Sequence, residues 1–246
     1  MPRYKLTLEY DGTGLSGWQR QQDVPSVQQY VEEAIAAYCG REVTIQCAGR
    51  TDAGVHALGQ VAHVDLPEAR EEYSVQQGIN YHLKTPQVAV LKAQRVADDF
   101  NARFDATRRY YHYRIICRNA PLTVERHRAW QVFEPLDAAA MHDAAQILVG
   151  HHDFTSFRDS QCQAKSPVKT LDEITVSEHA GVINVRLHAL SFLHHQVRIM
   201  VGNLRLIGNG KWKKQDLQKA LDAKDRKAAG PTAPACGLYL VGVKYP

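Results

Sequence analysis

The chain has 246 residues, 44% hydrophobic and 23% charged, a composition that sustains one large domain or two of middling size and argues against disorder. It holds no run of eighteen apolar residues to span a membrane, and its opening MPRYKLTLEYDG alternates polar with apolar residues where a secretory leader would carry an apolar block. A cytoplasmic chain without membrane attachment is expected, and a net charge of +4 is too small by itself to demand a nucleic-acid partner.

Residues 4–10 set Tyr4, Leu6, Leu8 and Tyr10 against Lys5, Thr7 and Glu9, the period of two that marks a half-buried strand. The next loop carries Gly12, Gly14 and Gly17, which match a dinucleotide-binding fingerprint in spacing. In a true fingerprint the last glycine lies in the helix that receives the pyrophosphate. Here Trp18, Gln19, Arg20 and further residues intervene before a helix can open at Ser26, and Glu32 and Glu33 fall inside that helix. The loop therefore reads as a Gly-rich flap, and no nucleotide cofactor is expected.

Ser26 with Gln29 forms a capping box for the helix VQQYVEEAIAAYC (27–39), which Gly40 ends. Strand-like runs follow at 43–48 (VTIQCA) and 60–66 (QVAHVDL). Ser74 with Gln77 predicts a short helix to about His82, and PQVAVLKAQRV (86–96) predicts a strand, giving the order β-α-β-β-α-β. The polar, aperiodic ADDFNARFDAT (97–107) makes a joint. An extra strand at about 108–117 precedes RAWQVF (128–133), a helix at 137–149 closed by Gly150, and a hairpin about Ala180-Gly181. A helix over about 193–207, a shorter one near 215–223 and the strand GLYLVGVKY complete the chain. The second half repeats the first, so the expected fold is α+β: two ferredoxin-like (RRM-like) halves, 1–103 and 104–246, sharing a mainly antiparallel central sheet with helices packed on it. RNA-binding modules use such halves, but a fold never fixes a function.

Cys39, Cys47, Cys117, Cys162 and Cys236 are odd in number and contain no C-x-x-C pair, so they read as buried free thiols and not as disulfides or a zinc knuckle. Arg103, Arg108, Arg109, Arg114 and Arg118, then Arg126 and Arg128, form one basic cluster. Lys211, Lys213, Lys214, Lys224, Arg226 and Lys227 form another. Each is either a solvated face or a phosphate-binding surface. His194-His195 and His151-His152-Asp153 invite a metal reading. Neighbours on a helix point about 100° apart and no H-E-x-x-H pair exists, so no metal is expected.

The most informative stretch is Gly49-Arg50-Thr51-Asp52-Ala53-Gly54-Val55-His56, bracketed by glycines that bend the backbone. If extended geometry persists to Asp52, Arg50 and Asp52 share a face. A guanidinium beside a carboxylate keeps it ionised. Such a pair either stabilises a turn or arms a nucleophile. The full string GRTDAGVHALGQVAHVD resembles the signature of the TruA family of tRNA pseudouridine synthases. The resemblance continues in YDGTGLSGWQRQ, FNARFDAT, RRYYHY, GHHDFTSFR, SFLHHQVRIMVGNL and GLYLVGVKYP, in the family's order and over essentially the whole chain.

That resemblance implies a pseudouridine synthase fold with Asp52 as the catalytic nucleophile. It assigns Tyr111 to the uracil as a stacking and C5-proton-handling residue, with Tyr110 and Tyr113 close enough in register to compete for the part. It makes Arg198 the partner of the catalytic aspartate, Leu238 the apolar lining of the uracil pocket, and Arg50 the group that displaces the target base. It further implies action on uridines 38, 39 and 40 of the tRNA anticodon stem-loop by a homodimer, without a cofactor. Arg20, Gln21 and Gln22 on the flap are then available to touch RNA. The alternative is a non-catalytic RNA-binding protein on the same duplicated fold, which has no use for Asp52.

Overall fold

The period of two at the N-terminus becomes β1 (Arg3–Tyr10), with Tyr4, Leu6, Leu8 and Tyr10 buried. In a computed structural model describing residues 1–246, the chain is a mixed α+β protein with two compact units, Met1–Arg109 with Tyr239–Pro246, and Tyr110–Leu238. The closing strand thus belongs largely with the first unit.

In the first unit β1 runs antiparallel to β3 (His56–Asp65) on one side and to β4 (Val88–Arg95) on the other. The end strand, β10 (Leu238–Lys244), lies parallel to β3, with Tyr239 opposite His56. The predicted strand at 43–48 shrinks to β2 (Gln46–Cys47), antiparallel to β3. The reason is local: the Ile45 N–H is taken by the Glu32 carboxylate at 3.1 Å and not by a neighbouring strand.

Helix α1 (Val27–Cys39) starts and stops where its capping residues predict. The Ser26 side chain accepts from the Gln29 N–H, and Gly40 takes the left-handed conformation. The box is only half closed, because the Gln29 amide reaches forward to Glu33 at 3.0 Å. Helix α2 (Glu72–His82) opens before Ser74, whose hydroxyl pairs instead with that of Tyr38 at 3.1 Å. A serine within reach of a neighbouring helix here serves packing and not capping.

The second unit orders its strands β5-β9-β8-β7: β5 (Arg108–Cys117), β9 (Val182–Ala189), β8 (Val168–His179) and β7 (Gly150–Asp153). The short β6 (Trp130–Val132) pairs parallel with β5. The β8–β9 hairpin turns at Ala180-Gly181, both at positive φ. Helix α3 (Ala138–Ala145), capped by Asp137, tightens into a 3-10 turn at Gln146–Leu148. Helix α4 (Gln196–Gly208) begins later than predicted because His195 sits at φ +61°, outside helical space. Helix α5 (Lys214–Ala223) follows. Each unit buries its own apolar set, including Leu6, Val31 and Ile79 in the first and Ile115, Phe154 and Met200 in the second. No helix is long and apolar enough to cross a membrane.

Candidate active site

Asp52 lies after β2 and before β3, in the first unit. The chain turns immediately after this residue. The Val55 N–H donates to the Asp52 carbonyl at 3.1 Å and Gly54 turns at φ +77°. Arg50 is exposed, Thr51 buried and Asp52 half-buried.

Thr51 is the anchor. Its hydroxyl is hydrogen-bonded to the Tyr10 phenol at 2.8 Å, and its carbonyl accepts from the Trp18 N–H at 3.0 Å. The Gln60 amide donates to the Gly49 carbonyl at 2.7 Å and to the Tyr10 oxygen at 3.3 Å. Arg109, also buried, donates to the Ala48 and Arg103 carbonyls, each at 2.7 Å. Backbone and side-chain bonds thus immobilise the chain on both sides of Asp52. A fixed backbone beneath a half-exposed carboxylate is what positioning for reaction requires.

The Gly-rich flap supports this segment. A β-carbon on Gly12 would lie 2.2 Å from the Val55 oxygen, and one on Gly17 would lie 2.5 Å from the Thr51 oxygen. Gly12 and Gly17, two of the three glycines spaced like a nucleotide motif, are therefore explained by close backbone packing. Helix α1 holds the flap in turn, with the Val27 N–H on the Gly17 carbonyl and the Gln28 N–H on the Trp18 carbonyl. The buried Gln28 side chain accepts from Gln19 and from the Arg20 N–H, and donates to the buried Glu32. Arg20, Gln21 and Gln22 themselves are exposed. Nearby, burial pushes the Cys47 thiol up to about 12, so it stays protonated and inert, and all five cysteines are free.

Tyr111, Arg198 and Leu238 belong to the second unit. Three tyrosines compete on β5, and their surroundings differ. Tyr113 is fully buried, with its phenol donating to the Pro234 carbonyl at 2.7 Å; burial raises its pKa well above the ordinary value, against the pull of the Arg198 charge. Tyr110 rests against the His188 ring. Tyr111, partly exposed, meets Phe192 edge-on with centroids 5.2 Å apart. Arg198 occupies the first turn of α4, and its Nε donates to the Ala233 carbonyl at 2.8 Å while the Ala233 N–H returns to the Arg198 carbonyl. Leu238 is buried where β10 begins.

Helix geometry does not separate His194 from His195, contrary to the expectation from sequence, because neither lies in a helix. Both precede α4, and their rings lie 3.9 Å apart with Asp159 facing them, at 2.8 Å from His195 Nδ1 and 3.7 Å from His194 Nδ1. Burial works against charge on Asp159, but the Gln161 amide and the His195 ring hold its carboxyl below the usual range. His151, His152 and Asp153 do not converge. They bond to Thr170, the Val149 carbonyl and Thr155 respectively.

The first basic cluster is divided: Arg109 serves carbonyls and Arg114 holds Glu125 at 2.8 Å, whereas Arg103, Arg108, Arg118, Arg126 and Arg128 are exposed, Arg118 donating to the Ala120 and Pro121 carbonyls. In the second, Lys211, Lys213, Lys214, Lys224 and Lys227 are exposed, although Lys214 reaches Asp143 at 2.8 Å. Linear clustering of arginines could not distinguish these cases.

The model of a family described as tRNA pseudouridine synthase matches residues 7–105 and 144–246. A tRNA pseudouridine synthase A from Maricaulis maris (strain MCS10) is 57% identical over 246 residues, covering 100% of this chain and 99% of its own. The protein of that name from Parvibaculum lavamentivorans is 56% identical, and the one from Mesorhizobium japonicum 53% identical, with each alignment covering 100% of both chains.

Proposed function

The chain belongs to the tRNA pseudouridine synthase family and isomerises uridine to pseudouridine in tRNA, and on that premise we propose Asp52 as its nucleophile. The observation that carries this reading is the half-exposed carboxylate on a backbone fixed by Thr51, Trp18 and Val55. Carboxylates act as nucleophiles when held against an electrophilic sugar or base. Tyr111 and Arg198 join Asp52 as catalytic groups, and Arg50 and Leu238 bind substrate. The buried, committed phenol of Tyr113 favours Tyr111 as the tyrosine that stacks on uracil and handles its C5 proton. Exposure of Arg50 suits a group that fills the space of an extruded base.

The reaction breaks N1–C1′, turns the uracil, and forms C5–C1′. The proton lost from C5 is matched by one gained at N1, so the isomerisation balances without a redox partner. Extrusion of the base from a stacked helix costs a few kcal/mol, the order reported for base-flipping enzymes. Three routes use a carboxylate at this point: attack on C1′, attack on C6, or proton removal at C2′ to give a glycal. Each unit is read as a ferredoxin-like (RRM-like) half, the first by its order β1, α1, β3, α2, β4. The proposed targets are uridines 38, 39 and 40 of the anticodon stem-loop, modified in the cytoplasm by a homodimer.

The test is tritium release from tRNA labelled at uracil C5, in EDTA. Release by the wild-type protein, lost in Asp52→Ala, supports the nucleophile; release that persists in the variant sinks it. Binding without release would favour an RNA-binding module, and sensitivity to EDTA a metal-dependent enzyme.

The lysines of the second cluster are expected to face the tRNA backbone. Replacing Lys211, Lys213 and Lys214 by Ala should weaken tRNA binding and reduce the salt slope by about one for each phosphate contact removed. Affinity measured across a series of salt concentrations checks this. An unchanged slope would exclude the cluster from the interface.

A further inference from the structure

We infer that Tyr10 and Gln60 are positioning residues for the reaction, acting on Asp52 through the side chain of Thr51; this rests on the reading of Asp52 as nucleophile. The three residues form a chain of hydrogen bonds beneath the loop. Gln60 Nε2 donates to the Tyr10 oxygen at 3.3 Å, and the phenol and the Thr51 hydroxyl lie 2.8 Å apart. Gln60 is fully buried and Tyr10 nearly so.

Direction at Gln60 follows from donor chemistry. An amide N–H can only donate, so the phenol oxygen accepts from Gln60, while either hydroxyl can donate in the bond between Tyr10 and Thr51. The Gln60 Oε1 accepts from the Val61 N–H at 3.2 Å, which fixes the orientation of the amide. The same Nε2 holds the Gly49 carbonyl at 2.7 Å. One buried glutamine therefore clamps the loop before Arg50 and, through Tyr10, sets the rotamer of Thr51.

Thr51 is the residue immediately before Asp52, and its carbonyl is already held by Trp18. With the hydroxyl fixed as well, little torsional freedom remains at Thr51 to swing the following carboxylate. A hydrophobic strand face needs no such chain. Tyr4, Leu6 and Leu8 fill the other inward positions of β1, and Phe at position 10 would pack equally well. The hydroxyl is the part left unexplained by packing, and the loop is what it touches.

Tyr10→Phe removes the hydroxyl and keeps the ring. Single-turnover pseudouridine formation on full-length tRNA should slow about 10- to 100-fold, the scale of a small displacement of a reacting group. Affinity for tRNA should stay within about twofold. Thr51→Val, which keeps the shape, should reproduce the loss, Thr51→Ser should restore most of the rate, and the Tyr10→Phe/Thr51→Val double variant should be no worse than either alone. A wild-type rate in Tyr10→Phe, or losses that multiply in the double variant, would overturn the inference. Asp52→Ala run alongside separates the two levels: activity in that variant removes the premise, whereas an inactive Asp52→Ala with an unimpaired Tyr10→Phe removes only the positioning chain.

Discussion

Asp52→Asn is expected to abolish pseudouridine formation while tRNA binding persists. The amide has nearly the shape of the carboxylate but little nucleophilicity, so the substitution removes the reacting atom's charge and leaves the loop intact. The Thr51 hydroxyl is bound to Tyr10, and the turn at Gly54 is made by the Asp52 carbonyl and the Val55 N–H. A fall of about 10⁴- to 10⁶-fold is expected, the range found when one member of a hydrolase's catalytic triad is removed. Mapping of pseudouridine in tRNA before and after treatment gives the rate, and affinity for the same tRNA gives the control. Because Arg50 is exposed, Arg50→Ala should act on substrate engagement and spare more of the chemistry. If Asp52→Asn kept a substantial rate, both this assignment and the positioning role of Tyr10 would fall.

What could be read from residues alone was mostly what neighbouring residues decide. The alternation of Tyr4, Leu6, Leu8 and Tyr10 announces β1, and Ser26 with Gly40 brackets α1, because capping and alternation are local chemistry. Ser74 misled for the converse reason: its hydroxyl partner, Tyr38, lies in another helix. The short β7 was overlooked because four residues opening on a glycine give no period to detect. His195 delays α4 through a left-handed backbone angle that a non-glycine residue does not advertise. At the candidate site, Asp52 stood out by resemblance, but its supports did not. Tyr10, Thr51 and Gln60 are distant along the chain, and Tyr10 and Gln60 read simply as strand residues. The arginines made the same point in reverse. Counted along the sequence they resembled a phosphate-binding surface, yet Arg109 and Arg114 are spent on internal partners.

Gly17→Ala is expected to damage the enzyme far more than Gly14→Ala, although both glycines have positive φ. At Gly14, φ is +75° and an added β-carbon meets nothing within 4 Å, so only backbone strain opposes the change, at about 1–2 kcal/mol. At Gly17, φ is +90° and the added carbon would lie 2.5 Å from the Thr51 oxygen, 2.8 Å from the Asp52 carbonyl carbon and 3.0 Å from the Ala53 nitrogen. All three are backbone atoms, so no side chain can rotate away. Either the flap or the Asp52 loop must shift. The flap is held by the Val27 and Gln28 amides at the start of α1, and the loop by Trp18, Tyr10 and Gln60. Relief must therefore break hydrogen bonds on one side, adding about 1–3 kcal/mol of overpacking to the strain. Displacing a reacting carboxylate by about 1 Å costs on the order of 100-fold in rate. Gly17→Ala should accordingly lose about two orders of magnitude in turnover and several degrees in melting temperature, measured beside Gly14→Ala, which should keep near-wild-type turnover. Equal effects in the two variants would mean that the flap does not seat the Asp52 loop. The glycine pattern would then need another explanation.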